Sequence, residues 1–408
     1  MPARAAEEAA RGSYGRLLAY LAARTRDMAA AEDALADAFA KALESWEKTG
    51  APDNPEAWLL TAARRRLIDN ARRNETRAKG EEHLKMIAEE AAERTQDGPF
   101  PDERLKLMFI CAHPAIDAAV RTPLMLQTVL GLDAKRIASA FLVAPAAMGQ
   151  RLVRAKTKIR DARIGFDVPE TEDLPPRLSA VLDAIYAAYT TGWDALAGED
   201  GKGLAEEAIY LARLLTRLLP DAAEALGLLS LMLYAEARAP ARRNADGDYV
   251  PLEAQNAALW NGAMVREAEA ALVRASERGQ TGRYQLEAAI QSAHALRRLT
   301  GKRNWDDVVK LYDVLLMVSP SVGAKVGRAA ALAEAKGASA GLAALDDLPD
   351  KTVAAYQPYW AARAHMLSQL DKKDAAREAY DIAIGLNEDD AVRRFLRGRQ
   401  SALGGGEP

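Results

Sequence analysis

The residues best suited to chemistry in this sequence lie on a predicted helix over residues 145–159. Four apolar residues recur there at spacings of four, three and four, which places them on one helical face: Met148, Leu152, Ala155 and Ile159. The opposite face carries small, amide and basic side chains: Ala147, Gln150, Arg151, Arg154 and Lys158. Small residues let a backbone approach DNA closely, while amide and guanidinium groups hydrogen-bond to base edges and phosphates. The pattern predicts a helix that enters a DNA major groove.

The residues before this helix predict the element that positions it. Asp133 is a good N-cap for a short helix in which Ile137 and Phe141 are spaced for burial. A turn at residues 142–144 leads to Pro145, which suits the first helical position because its missing N–H would have no partner there. Two short helices joined by a tight turn, with basic side chains along the second helix, predict a helix-turn-helix.

A second basic cluster falls within 16 residues at the end of another predicted helix: Arg64, Arg65, Arg66, Arg72, Arg73, Arg77 and Lys79. A solvated helix face is the ordinary explanation for such a run. Trp58, at the start of the same helix, favours a different one, because basic side chains beside aromatic rings suit single-stranded or melting DNA. Trp58 is equally compatible with a place in the core.

Length and composition set the fold class. A chain of 408 residues suggests two to four domains, and a hydrophobic share of 49% allows several cores. Ala and Leu are frequent while β-branched and aromatic residues are sparse, so we expect an all-α fold. Residues 1–166 carry 27 Lys and Arg against 23 Asp and Glu, whereas the remainder carries 28 against 35. The positive front half fits a polyanionic partner, and the negative back half does not.

Other function classes find little support in the residue pattern. Cys111 is the single cysteine and the four histidines are scattered, so neither a disulfide framework nor a metal-binding spacing is present. Cys111 and His113 lie close together, but such a pair without further ligands is more typical of packed helix residues. Glycine-rich phosphate loops and serine elbows are also lacking. We expect no enzyme and no cofactor. Without an apolar run long enough to cross a bilayer, or a signal-peptide core, the expected location is cytoplasmic.

Helical patterns and breaker residues predict the domain order. The first domain contains a helix whose apolar residues are spaced to share a face: Leu35, Phe39, Leu43 and Trp46. The predicted segments are a helical domain at 1–80, a linker at 81–101, the helix-turn-helix domain at 102–164, a second linker at 165–176 and a helical domain at 177–408. Within the last domain, small and apolar residues from Tyr359 to Asn387 resemble a tetratricopeptide helix pair, in an array whose repeats are degenerate.

The motifs of the first 165 residues resemble a known family. AEDALADAFAKALESW, the turn PDNPEAW and LLTAARRRLIDNARR are similar to the first promoter-binding domain of the extracytoplasmic-function sigma factors of bacterial RNA polymerase. The helix-turn-helix over residues 132–159 aligns without a gap to their second domain. The remainder resembles a subgroup with a long tetratricopeptide-like extension.

The resemblance implies a factor that binds core RNA polymerase, recognises two promoter elements and opens the downstream one. It assigns the docking of the polymerase to Glu32, Asp33, Asp37, Phe39 and Lys41. It assigns contacts with the −10 element, including capture of a flipped base, to Asn54, Trp58, Thr61, Arg64, Arg65, Asp69, Arg72 and Arg73. It assigns the −35 element to Ala147, Gln150, Arg151, Arg154 and Lys158.

Two positions depart from the family pattern. Gly149 stands where a polar or basic residue is common, and Ala144 replaces a usual Ser or Thr cap, so readout at the upstream element is expected to rely partly on DNA shape. The acidic extension suggests control in cis, through contact of the repeat domain with the promoter-binding domains or the polymerase. An alternative is a plain helix-turn-helix regulator whose repeats sense a peptide or protein. A scaffold with a decorative helix-turn-helix would need both basic clusters to be functionless.

Overall fold

The chain is all-α, as its composition predicts. The computed structural model describes residues 2–75, 102–141, 143–162, 164, 166, 169, 173–194 and 199–404. In these stretches regular structure is helical, apart from one isolated bridge between Arg243 and Tyr249. None of the described helices has the length and apolarity needed to span a membrane. The chain divides into two compact units, Met1–Leu211 and Ala212–Pro408.

In its described residues the first unit contains three long helices, four shorter ones, a further long helix and the start of another. The predicted linker at 81–101 lies outside the described residues, as does half of the predicted linker at 165–176. The helices are α1 (Pro2–Thr25), α2 (Met28–Thr49), α3 (Pro55–Glu75), α4 (Arg104–Cys111), α5 (Ala118–Thr128), α6 (Ala134–Ala140), α7 (Pro145–Asp161) and α8 (Leu174–Asp194). The next helix, α9 (Glu199–Leu218), contributes its first residues to this unit.

Helices α1, α2 and α3 pack on one another. Asp27 caps α2 by accepting a hydrogen bond from the backbone N–H of Ala30 at 3.0 Å, and Gly50 ends the helix with a φ of 81°. The face of α2 buried in the bundle is lined mainly by small residues: Met28, Ala31, Ala34, Leu35, Ala38, Ala42 and Trp46. The predicted apolar face is therefore only partly correct. Leu43 is 50% exposed, because the alanine seam rather than the larger side chains faces the neighbouring helices.

The helix-turn-helix consists of α6 and α7. Asp133 caps α6 through hydrogen bonds from the N–H groups of Lys135 and Arg136, at 2.9 and 2.8 Å. The four apolar residues predicted to lock α7 in place are all buried: Met148, Leu152, Ala155 and Ile159. The expectation of burial for Phe141 is wrong. This residue follows the last turn of α6 and is 37% exposed.

A buried guanidinium joins α4 to α9 in the first unit. Arg104 is only 6% exposed, and its Nη2 lies 2.7 Å from an Asp102 carboxylate oxygen. The same side chain pairs with Glu207, and it lies over the ring of Tyr210 at 5.2 Å. Burial opposes ionisation of Asp102, but the hydrogen bonds and charge of Arg104 hold its pKa below the usual value. Helix α8 also packs against α4 and α5.

The second unit is a succession of packed helices. They are α10 (Ala223–Ala237), α11 (Gly262–Ser276), α12 (Arg283–Thr300), α13 (Trp305–Val318), α14 (Val322–Lys336), α15 (Ala338–Asp346), α16 (Asp350–Val353), α17 (Gln357–Gln369), α18 (Lys373–Gly385) and α19 (Asp390–Ser401). Some of these helices approach each other closely at glycine. A Cβ atom at Gly227 would lie 2.5 Å from the backbone nitrogen of Gln285, so α10 and α12 approach more closely than larger residues allow.

A segment between α10 and α11, residues 239–261, crosses to the far end of the same unit; we call it the strap. Arg243 pairs with Asp389 at 2.5 Å across 146 residues of sequence, and Arg394 pairs with Asp248 at 2.9 Å. The ring of Tyr249 meets that of Phe395 edge-on. Helices of a simple repeat array contact only their neighbours. The strap therefore adds a direct connection between the beginning of the array and α19.

Gly15 provides a test of how tightly the first unit is packed. A Cβ atom at this position would lie 1.7 Å from the carbonyl oxygen of Val129, a backbone atom that cannot swing aside. Gly15→Ala should therefore destabilise the first unit by about 2 kcal/mol or more, measured by chemical denaturation. Gly149→Ala is the matched control, because nothing lies within 4 Å of its added methyl group. It should stabilise helix α7 by about 0.5–1 kcal/mol. Equal free energies of unfolding for the two variants would contradict the close approach of Gly15 to Val129.

Candidate nucleic-acid and partner interface

The residues predicted to contact DNA on α7 lie on its accessible side. Gln150, Arg151, Arg154 and Lys158 are exposed and Ala147 is half-buried. The Arg154 Nε approaches the backbone oxygen of Gln150 at 3.4 Å, which directs the guanidinium along the helix. Since the apolar side of α7 is buried at the same time, packing fixes the helix while its basic face stays available to a polyanion.

An open cleft borders this basic face. It has a volume of about 410 Å³ and lies between α7 and the start of α5, lined by Ala115, Ile116, Asp117, Ala119, Val120, Arg151, Arg154, Ala155 and Lys158. Asp117 caps α5 by accepting a hydrogen bond from the Ala119 N–H at 3.0 Å. Because Arg151, Arg154 and Lys158 line it, the cleft extends the basic surface of α7.

Helix α3 presents the second predicted DNA-contacting set. Asn54 caps the helix by accepting a hydrogen bond from the Ala57 N–H at 3.0 Å, and its side chain is exposed. Thr61, Arg65 and Asp69 are exposed as well. Arg72 and Arg73 belong to α3, but their side chains fall outside the described residues, and so do Arg77 and Lys79 entirely.

Arg64 is held by an aromatic ring. Its guanidinium donates a hydrogen bond to the hydroxyl of Tyr20 and lies 5.2 Å from the centroid of that ring. Arg24 covers the same ring at 3.6 Å. Tyr20 is 2% exposed, so two cationic side chains contact the same buried aromatic ring. The arrangement fixes the position of Arg64 before any ligand arrives.

Trp58 contacts the core of the bundle. It is half-buried, and its ring lies edge-on against the fully buried Trp46 with centroids 5.4 Å apart. Trp58 therefore packs against the core while part of it stays accessible to solvent, and its role as a stacking platform remains a prediction.

The residues predicted to dock the polymerase differ in their surroundings on α2. Asp33 and Lys41 are exposed. Glu32 is half-buried between Lys156 of α7 and the hydroxyl of Tyr14. Asp37 forms an ion pair with Arg66 at 2.5 Å, and Phe39 stacks on Tyr14 with centroids 6.4 Å apart.

The structure adds residues that sequence reasoning missed. Tyr14, Tyr20, Arg66 and Lys156 contact predicted site residues. Arg66 belonged to the basic cluster, yet its partner Asp37 lies on another helix, which periodicity within one helix does not reveal. Lys156 lies outside the predicted DNA-contacting face of α7. Its place on the helix was therefore the one sequence signal that it has a different partner.

Comparisons with known proteins agree with this architecture. The family Sigma-70 region 2 matches residues 11–77, which include the larger part of α1 and all of α2 and α3. A second model, described as "Family of unknown function (DUF6596)", matches residues 177–276. The chain is 37% identical over 392 residues to "Uncharacterized protein R00370" of Rhizobium meliloti (strain 1021), covering 94% of this chain and 92% of that protein. No solved structure matches the chain.

The helical bundle with its cationic face therefore matches sigma-70 region 2, a domain of transcription initiation factors. Its presence supports a role in promoter recognition and transcription initiation, and implies binding of the RNA polymerase core and promoter DNA. The chain belongs to the same family as the Rhizobium meliloti protein R00370.

The contact between Arg64 and Tyr20 is testable by a double-mutant cycle. Tyr20→Phe removes the hydroxyl acceptor and should cost the first unit about 1 kcal/mol, measured by chemical denaturation. Combined with Arg64→Met, its effect should be non-additive by a similar amount, since both changes remove one interaction. The exposed neighbour Arg65 supplies the control, because Arg65→Met should add independently. Full additivity of Tyr20→Phe and Arg64→Met would refute the coupling.

Proposed function

We propose that this protein is a sigma factor of the extracytoplasmic-function type, with a C-terminal helical repeat domain that regulates it in cis. The sigma-70 region 2 domain supports the general role. The observation that carries the finer proposal is the exposed basic face of α7, in one compact unit with that domain. Such a factor needs a second DNA-reading element beside region 2, and the helix-turn-helix has the right chemistry for it.

In this proposal the two DNA surfaces have different tasks. On α7, Gln150 and Arg154 read base edges of the −35 element, while Arg151 and Lys158 contact phosphates and Ala147 lets the backbone approach. On α3, a second set binds and opens the −10 element: Asn54, Trp58, Thr61, Arg64, Arg65, Asp69, Arg72 and Arg73. Base flipping costs a few kcal/mol, which phosphate contacts and stacking on an aromatic ring can offset.

The docking of core polymerase is assigned to α2. Asp33 and Lys41 are free of the bundle core, and Glu32, Asp37 and Phe39 lie along the same helix. A mixed face with acidic residues fits a partner helix that presents basic side chains. The extension has a different task. We propose that it is a degenerate tetratricopeptide-like array, which the succession of packed helix pairs supports.

Transcription in vitro tests the main proposal. Purified chain and bacterial core polymerase would be given DNA carrying randomised upstream sequences, and transcript 5′ ends would be sequenced. We expect two enriched elements upstream of the start sites. Arg154→Ala should lose about tenfold or more of the preference at one position of the upstream element, since a good base contact contributes about 1–3 kcal/mol. The exposed Arg160, on the same helix but outside the assigned set, gives the control in Arg160→Ala.

Two outcomes would contradict the proposal. Core polymerase that starts no specific transcripts with this chain would exclude a sigma factor. Tight and specific binding of duplex DNA without polymerase would favour a plain regulator with a sensing domain.

Removing the second unit tests control in cis. A chain ending at Leu211 retains Glu207 and Tyr210 beside Arg104, so the first unit keeps its buried cluster. We expect its specific transcript yield with core polymerase to differ at least threefold from that of the full chain. Circular dichroism of the shortened chain checks its folding. Equal yields from both folded forms would exclude a regulatory role for the second unit.

A further inference from the structure

The predicted polymerase-docking helix and the predicted DNA-reading helix are joined by a shielded ion pair. Lys156 Nζ lies 2.7 Å from Oε1 and 2.5 Å from Oε2 of Glu32, so it engages both carboxylate oxygens. The Lys156 side chain is 12% exposed and that of Glu32 is 25% exposed. Exposed ion pairs contribute little to stability, but a shielded pair with two hydrogen bonds is costly to break by removing one partner.

Further contacts surround the pair. The Tyr14 hydroxyl donates a hydrogen bond to the same Glu32 carboxylate at 3.4 Å. Burial, together with the negative charge of Glu32, raises the pKa of Tyr14, so the phenol stays protonated. At the next residue of α1, the backbone of Gly15 lies against Val129, at the end of α5. Helices α2 and α7 also pack against each other directly. The bundle α1–α3 and the helix-turn-helix therefore form one closed body.

This closure matters because Glu32 has two possible partners. Both of its oxygens already accept hydrogen bonds from Lys156. A basic side chain of a docking partner would meet a carboxylate whose charge Lys156 already neutralises, so it would have to share or replace these hydrogen bonds. The exposed cations of α7 are different, since Arg151, Arg154 and Lys158 do not take part in the pair and face outward.

We propose that Lys156 of α7 and a basic docking helix of the polymerase compete for Glu32, so that the free chain is held closed until the polymerase separates α7 from α2. This inference rests on the proposed function and adds its regulation: the acidic face of α2 is a surface used in turn by the chain's own Lys156 and by the partner. A closed form that predominates tenfold weakens apparent docking tenfold, because only the open fraction binds.

Lys156→Gln tests the competition. The change removes the charge and keeps a similar length, and the full-length chain is used throughout. Affinity for purified core polymerase, without DNA, would be measured by fluorescence anisotropy. We expect the variant to bind about threefold to tenfold more tightly than the natural chain, since Glu32 no longer has to be released.

Two further variants make the result decisive. Arg160→Gln removes one positive charge from the same helix, where Arg160 is exposed and pairs with Asp161, and should leave core binding unchanged. Lys156→Arg preserves the charge and should restore the natural affinity, which separates release of the pair from damage to the fold. Equal core affinity for Lys156→Gln and the natural chain would overturn the competition. If the natural chain does not bind core polymerase at all, the result would instead contradict the proposed function.

Discussion

Close approach of helices at small residues is the constraint on which the first unit depends. Ala31, Ala34 and Ala38 form the buried seam of α2, and the backbone at Gly15 touches that of Val129. Because the backbones lie so near, charged groups on different helices come within hydrogen-bonding reach of one another. Lys156 pairs with Glu32 and Arg66 pairs with Asp37 across helices of this unit. Small side chains bring the helices close, and longer charged side chains then pair across them.

The sequence predicts local features of this protein well. The cap at Asp133, the start of α7 at Pro145 and the buried face of α7 are all present, because each depends on residues within a few positions. Predictions that depend on helix packing were weaker. Leu43 was expected on the buried face and is half-exposed, since the alanines beside it fit the neighbouring helices better. Phe141 is exposed because the turn begins there rather than one residue later.

The same distinction between local features and contacts across helices applies to the candidate site. Residue types and spacing indicated which side chains of α3 and α7 face outward. Pairing across helices was not accessible, because Tyr20 and Arg64 are separated by 44 positions and Glu32 and Lys156 by 124. The sequence pattern around Tyr20 does not reveal that its side chain contacts Arg64. The same holds for Arg104, whose burial depends on Asp102 nearby and on Glu207 far along the chain.

The strap gives the second unit a property that stacked repeats usually lack. An open array can fray from either end, since each helix pair is held only by its neighbours. Here the carboxylate of Asp389 caps α19 and also receives Arg243, and Asp248 receives Arg394. The two ends are fastened by side chains that sit near the start and finish of the unit. Unfolding at one end therefore breaks contacts at the other end as well. The second unit is expected to unfold cooperatively, in an all-or-none manner, rather than one repeat at a time.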